Sequence, residues 1–150
     1  NDLVHSAAFL WESRRRSIAP LSIRFQLDNQ VEKVSLDSRQ IYQALLNIFT
    51  NAEEAMSEGG EMLISTGIDK ESGLAWISVE DTGKGIPREH LDRVFDRFFT
   101  TKDSGLGLGL TVVRKVMEAH GGSVGIESLP ESGTKVALCF PTGKRIEKVE

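Results

Sequence analysis

Asn47-Ile48-Phe49-Thr50-Asn51-Ala52 lies inside a strongly helical pattern, and Asp81-Thr82-Gly83-Lys84-Gly85-Ile86-Pro87 follows the apolar run Trp76-Ile77-Ser78-Val79. The first stretch puts two carboxamides four residues apart, on one helix face. The second leaves a lone carboxylate at a strand end, just before a glycine turn. A third stretch, Gly105-Leu106-Gly107-Leu108-Gly109-Leu110, opens a helix.

Outward from the first stretch, Asp37 or Ser38 caps its helix. Ile41, Ala44, Leu45, Ile48, Phe49, Ala52, Ala55 and Met56 form the apolar stripe, and Gly59-Gly60 stops it. Upstream, residues 2–18 read as a helix with Leu3, Ala7, Leu10 and Arg14 at helical spacing, ended by Pro20. Residues 21–27 alternate strictly, as a half-buried strand does. A turn at Asp28-Asn29 leads to a short strand expected at 33–36. Downstream, strands are expected at 61–68 and 74–80, a short helix at 88–95, a loop at 96–104 and a helix at 107–120. Strands at 123–128 and 134–140 form a hairpin around Pro130-Glu131-Ser132-Gly133. The tail at 144–150 is charged and expected to fray. Strands outnumber helices and two strand pairs are hairpins. The fold class is therefore α+β: a two-layer sandwich with a mixed β-sheet covered on one face by helices.

The chain of 150 residues, 39% apolar, suits one core without covalent staples. Its net charge of -4 speaks against a nucleic-acid partner. The triplet Arg14-Arg15-Arg16 reads as a solvated face. The single Cys139, inside an apolar run, excludes an internal disulfide and reads as a small core residue. That fits a reducing compartment, and a cytoplasmic location is expected. No apolar run approaches the ~20 residues of a membrane helix. The start lacks both Met and a signal peptide and reads as a piece of a longer protein, whose membrane anchoring is left open.

Each motif admits a chemical and a plain reading. Asparagine is a poor interior helix residue, so Asn47 and Asn51 in one helix point to a task, such as carbonyl ligation of hard Mg²⁺; otherwise they cap or face solvent. Asp81 accepts hydrogen bonds only; it suits a base amine, or else bonds its own turn. The glycine run is no P-loop, because no Gly-Lys-Ser/Thr follows the required gap. It is no dinucleotide fingerprint either, because polar residues and not a strand precede it. What remains is a hinge into a helix N-terminus with free N–H groups for phosphates, with Lys102 adjacent, or a closely packed loop. Phe95-Asp96-Arg97-Phe98-Phe99 reads either as an anchor for a lid or partner, or as core.

In this order and spacing the motifs resemble those of the catalytic ATP-binding domain of bacterial sensor histidine kinases, from the superfamily shared with DNA gyrase, the mismatch-repair ATPase and a heat-shock chaperone. Asn47 to Ala52 resembles the asparagine box and Asp81 to Ile86 the first glycine box. Phe95 to Phe99 resembles the phenylalanine box, Gly105 to Leu110 the second glycine box, and Gly133-Thr134 the terminal Gly-Thr. The likeness spans about residues 21–141.

The resemblance implies a mixed sheet under three helices, with ATP held beneath a mobile lid. It implies that Asn51 is the chief Mg²⁺ ligand with Asn47 beside it, and that Asp81 recognises the adenine amine, helped by Thr134 through water. Gly83 and Gly85 would let the backbone approach the base, with Ile86 and Ala55 at the pocket. Gly105, Leu106, Gly107, Leu108, Gly109 and Leu110 would hinge the lid over the phosphates, with Thr101 and Lys102 in contact. Asn47 and Lys102 are the expected catalytic groups. Residues 98–102, Phe-Phe-Thr-Thr-Lys, resemble the nitrogen-regulation-type subgroup.

One departure stands out. Glu53 and Glu54 occupy positions where many members carry a base, so Lys102 must supply the charge. His5, His90 and His120 do not match a phosphoacceptor, which is expected on a separate upstream helical dimerisation domain. Residues 1–20 then form a helical connection toward that domain, 21–142 the catalytic domain and 143–150 a tail. The implied activity is transfer of the γ-phosphoryl of ATP to that histidine, for relay to a response regulator aspartate. This piece is expected to be a monomer and its parent a homodimer. The alternatives are an anti-sigma-type serine kinase and a non-catalytic nucleotide-binding interaction module.

Overall fold

A computed structural model describes residues 1–31, 34–100 and 109–143. The helix carrying both carboxamides, α2 (Ser38–Ala55), is the organising element. The Asp37 carboxylate caps it, accepting from the Arg39 and Gln40 amides at 3.0 and 3.2 Å. Ile41, Ala44, Leu45, Ile48, Phe49 and Ala52 form one buried stripe. Behind Met56 the chain turns at Gly59, whose φ of 105° suits glycine, and a Cβ there would collide with the Pro20 carbonyl. The Gly60 amide donates to that carbonyl at 3.0 Å. This contact sets β1 (Leu21–Leu27) beside β2 (Gly60–Asp69), parallel, with Leu21 opposite Gly60.

β2 returns as a hairpin into β3 (Leu74–Asp81). After the four-residue helix α3 (Arg88–Leu91) and α4 (Gly109–Ala119), β4 (Ser123–Ser128) and β5 (Thr134–Pro141) close a five-stranded mixed sheet. The strand order is β1-β2-β3-β5-β4, with only the first pair parallel. Strand alternation sends Met62, Ile64, Ile77, Val79, Val136, Leu138 and Phe140 to the helical layer, where they form one core with α1 (Asp2–Arg14), α2 and α4. The expected class, an α+β two-layer sandwich with helices on one face, is the fold observed. Among the described residues, no helix is long and apolar enough to cross a membrane.

Several elements differ from expectation. Residues 34–36 form no strand, and Lys33 lies outside the described residues. Val34 and Leu36 pack against the core without a ladder partner, so their alternation reflects burial without pairing. α1 ends at Arg14, before Pro20. Arg15 is extended (φ -63°, ψ 141°), and its guanidinium turns to the Glu53 carboxylate at 2.8 Å and the Ala19 carbonyl at 3.0 Å. The buried face of α1 is Val4, Ala7, Ala8 and Trp11. The helix is thus rotated from the expected Leu3–Ala7–Leu10 line, with the Trp11 ring against Phe49 at 5.8 Å. α1 is an integral part of the packed body. α3 stops at Leu91, because successive i→i+3 amide bonds, from Arg93 to His90 and Asp96 to Arg93, turn the chain instead of extending the helix. The last helix is described from Gly109; residues 107–108 of its expected start, and the tail at 144–150, lie outside the described residues.

Candidate functional site

A cavity of about 700 Å³ opens between α2, the start of α4, the α3 segment and the ends of β3, β4 and β5. Its apolar floor is Val79, Val136 and Ile126 from the sheet, with Ile48 and Ala52 from α2.

Asp81, the last residue of β3, is the acid of this cavity and is only 7% exposed. Its Oδ1 accepts the Gly83 amide at 2.8 Å, and the Thr134 amide also donates to the carboxylate. Burial pushes its carboxyl above the ordinary 3.8; the two amides pull it back in part, and the charge of neighbouring Glu80 pushes it up again. Thr134 faces Asp81 across the β3–β5 ladder and lines the same cavity.

Glycines bring these strands' ends into register. A Cβ on Gly83 would stand 2.6 Å from the Ala55 carbonyl oxygen, which accepts the Lys84 amide at 3.1 Å. Gly85 (φ 70°) passes so close to the Leu129 carbonyl that no side chain fits, and the Lys84 carbonyl accepts the Glu131 amide at 2.7 Å. The glycine turn therefore locks simultaneously onto the end of α2 and onto the β4–β5 turn. Ile86 lines the cavity and hands its amide to Ser128 Oγ at 2.7 Å.

Asn51 and Ala55 of α2, with Gly109 and Leu110 at the start of α4, also line the cavity, Ala55 directly against the glycine turn. Asn47 is not in the wall; its amide donates to the Gly109 carbonyl at 3.4 Å and ties the two helices together. The two glutamates that depart from the family pattern diverge: Glu53 is taken by Arg15, while Glu54 lines the cavity.

None of the three phenylalanines in the segment joins the core. Phe99 lines the cavity between the His90 ring, edge-on at 5.5 Å, and the Arg93 guanidinium at 4.7 Å. The Phe95 carbonyl accepts the Thr111 hydroxyl at 3.1 Å, and Phe98 is exposed at φ 64°.

Of the expected site residues, Asn51, Ala55, Asp81, Gly85, Ile86, Gly109, Leu110 and Thr134 share the cavity, while Asn47 and Gly83 support it from behind. Thr101, Lys102, Gly105, Leu106, Gly107 and Leu108 lie outside the described residues. Sequence reasoning missed Val79, Ile126 and Val136, which strand alternation places on the same face as Asp81, Ser128 and Thr134. It also missed His90, Glu131 and Ser128, for which the sequence carries no local signal. Among the described residues, no three His, Cys, Asp or Glu side chains are grouped to hold a metal. A cation here would rest on carboxamide oxygen and on a ligand's own phosphates, which is the coordination Mg²⁺ favours.

A two-layer domain whose cavity lies between helices and strand ends, lined by a buried acid and a helix carboxamide, has the build of an ATPase domain. The family described as histidine kinase-, DNA gyrase B- and HSP90-like ATPase matches residues 36–144, and the chain belongs to it. Sensor histidine kinase WalK of Bacillus subtilis is 38% identical over 114 residues, 72% of this chain and 19% of that protein. Signal transduction histidine-protein kinase AtoS of Escherichia coli is 40% identical over 116 residues, 77% of this chain and 19% of that one. The chain thus spans about a fifth of these curated relatives. Among solved structures, the catalytic domain of histidine kinase ThkA superposes with a TM-score of 0.82 at 33% identity, covering 95% of this chain and 91% of that domain. Full-length ShkA in complex with AMPPNP gives 0.83 at 27% identity, covering 96% of this chain and 30% of that one.

Proposed function

We propose that this chain is the ATP-binding catalytic domain of a two-component sensor histidine kinase. It binds Mg-ATP and delivers the γ-phosphoryl to a histidine on a separate helical dimerisation domain, for relay to a response regulator aspartate. One observation carries the reading: buried Asp81, oriented by the Gly83 amide, shares a cavity of about 700 Å³ with Asn51 and the start of α4. The AMPPNP complex of ShkA and the complex of ThkA with response regulator TrrA support it by likeness.

In this reading Asp81 accepts from the adenine amine, with Thr134 beside it. Val79, Val136, Ile126 and Ile86 hold the ring in an apolar slot. Asn51, with Asn47 behind it, offers carboxamide oxygen where the phosphates' cation sits. Bound Mg²⁺ would neutralise phosphate charge at that wall. Lys102 and Thr101 serve the phosphates, and Gly105 to Gly109 hinge the lid, as the motif's order implies. Phosphoryl transfer asks the protein chiefly to position groups and balance charge, and these residues do that.

Residues 1–20 lead from the helical domain, 21–142 form the catalytic domain and 143–150 its tail. Residues 98–102 support the nitrogen-regulation-type subgroup. The domain acts in the cytoplasm as a monomeric unit of a homodimeric parent. The parent protein with its helical domain, incubated with γ-labelled ATP and Mg²⁺, tests this. An acid-labile, alkali-stable label that disappears in Asn51→Ala supports the reading; a parent that binds ATP and never takes up label overturns it.

A further inference from the structure

Ser128 closes β4 directly opposite Thr134. Its Oγ lies 2.7 Å from the Ile86 amide nitrogen, 2.8 Å from the Gly133 carbonyl oxygen and 2.8 Å from Thr134 Oγ1. A serine hydroxyl has one proton and two lone pairs. The Ile86 amide only donates, so it occupies a lone pair. The Gly133 carbonyl only accepts, so it takes the proton. One assignment then satisfies the third contact: Thr134 donates its own proton to Ser128. The Thr134 hydroxyl is left with lone pairs alone. Asp81 beside it, already holding the Gly83 and Thr134 amides, likewise presents acceptors.

The geometry points to Ser128, which is not itself in the cavity wall, as a specificity-determining positioning residue. By taking the Thr134 proton and anchoring Ile86, it makes the Asp81–Thr134 pair present hydrogen-bond acceptors to the cavity. The inference rests on reading the cavity as an ATP site. An exocyclic amine placed against this pair is matched, whereas a carbonyl oxygen in the same place meets only lone pairs. Without the Ser128 hydroxyl, Thr134 is free to turn and donate, and the discrimination weakens.

The test is displacement of a fluorescent ATP analogue, with Mg²⁺ present, by ATP and by inosine triphosphate, which carries a carbonyl in place of the amine. Wild type, Ser128→Ala, Ser128→Thr, Thr134→Val and the Ser128→Ala/Thr134→Val double variant are compared. The preference for ATP should fall roughly three- to tenfold in Ser128→Ala. It should stay in Ser128→Thr, and should fall no further in the double variant than in Thr134→Val. If Ser128→Ala weakens both nucleotides by the same factor, Ser128 is a scaffold residue only and the inference fails while the ATP reading stands. If the wild type shows no saturable binding at all, both fail.

Discussion

Asp81 sets function against stability at a single side chain. Its folded carboxyl is raised above the ordinary 3.8 chiefly by burial. A raised acid favours folding most where it is protonated, below the unfolded value, and loses that contribution as pH climbs through the folded value. At neutral pH the ionised, buried group therefore costs stability. Asp81→Asn should melt no lower than wild type at pH 7 while binding ATP at least about tenfold more weakly; a lower Tm would contradict the assigned cause. The advantage of the wild type over Asp81→Asn in ATP affinity should also shrink on acidification at a pH above 3.8. At Gly85, where φ is 70° and a Cβ would strike the Leu129 carbonyl, Gly85→Ala should cost about 2 kcal/mol or more by urea titration. Both residues were legible, because a carboxylate at a strand end followed by Gly-x-Gly is a local signal. Ser128 was not, since its work depends on β4–β5 register and on an amide 42 residues away in sequence.

At the scale of elements, α2 was read almost entire, since cap, stripe and stop all lie within its own sequence. α1 was misjudged in length and face because tertiary contacts decide both: Trp11 seeks Phe49, and Arg15 leaves the helix for Glu53. Side chains of that ion pair are only 14% and 16% exposed, and it pins the end of α1 to the cavity-bearing end of α2. Arg15→Ala, which strands Glu53, should destabilise by about 2 kcal/mol. Adding Glu53→Ala should recover part of that loss in a double-mutant cycle followed by chemical denaturation; additive losses would show that the pair is not coupled. The pairing also accounts for one of the two acids that replace the family's base after Asn51. At 34–36 the expected strand is absent for a related reason, since alternation reports burial and cannot tell a paired strand from an unpaired segment.

Across the whole molecule, the site is a consequence of topology. Glycine turns fasten three separated segments, the end of α2, the end of β3 and the β4–β5 turn, into one rim, and the antiparallel β3–β5 ladder sets Asp81 opposite Thr134. The sandwich class was legible from element order and hairpins, whereas the strand order that creates the cavity depends on long-range pairing that no local pattern reports. The central claim is that this cavity is an adenine-nucleotide site, and calorimetric titration of Mg-ATP into the isolated domain tests it most directly. The account predicts one-site saturable binding, no comparable binding of GTP, and at least about a tenfold loss in Asp81→Asn. Absence of saturable binding to the wild type, or undiminished binding to Asp81→Asn, would contradict it.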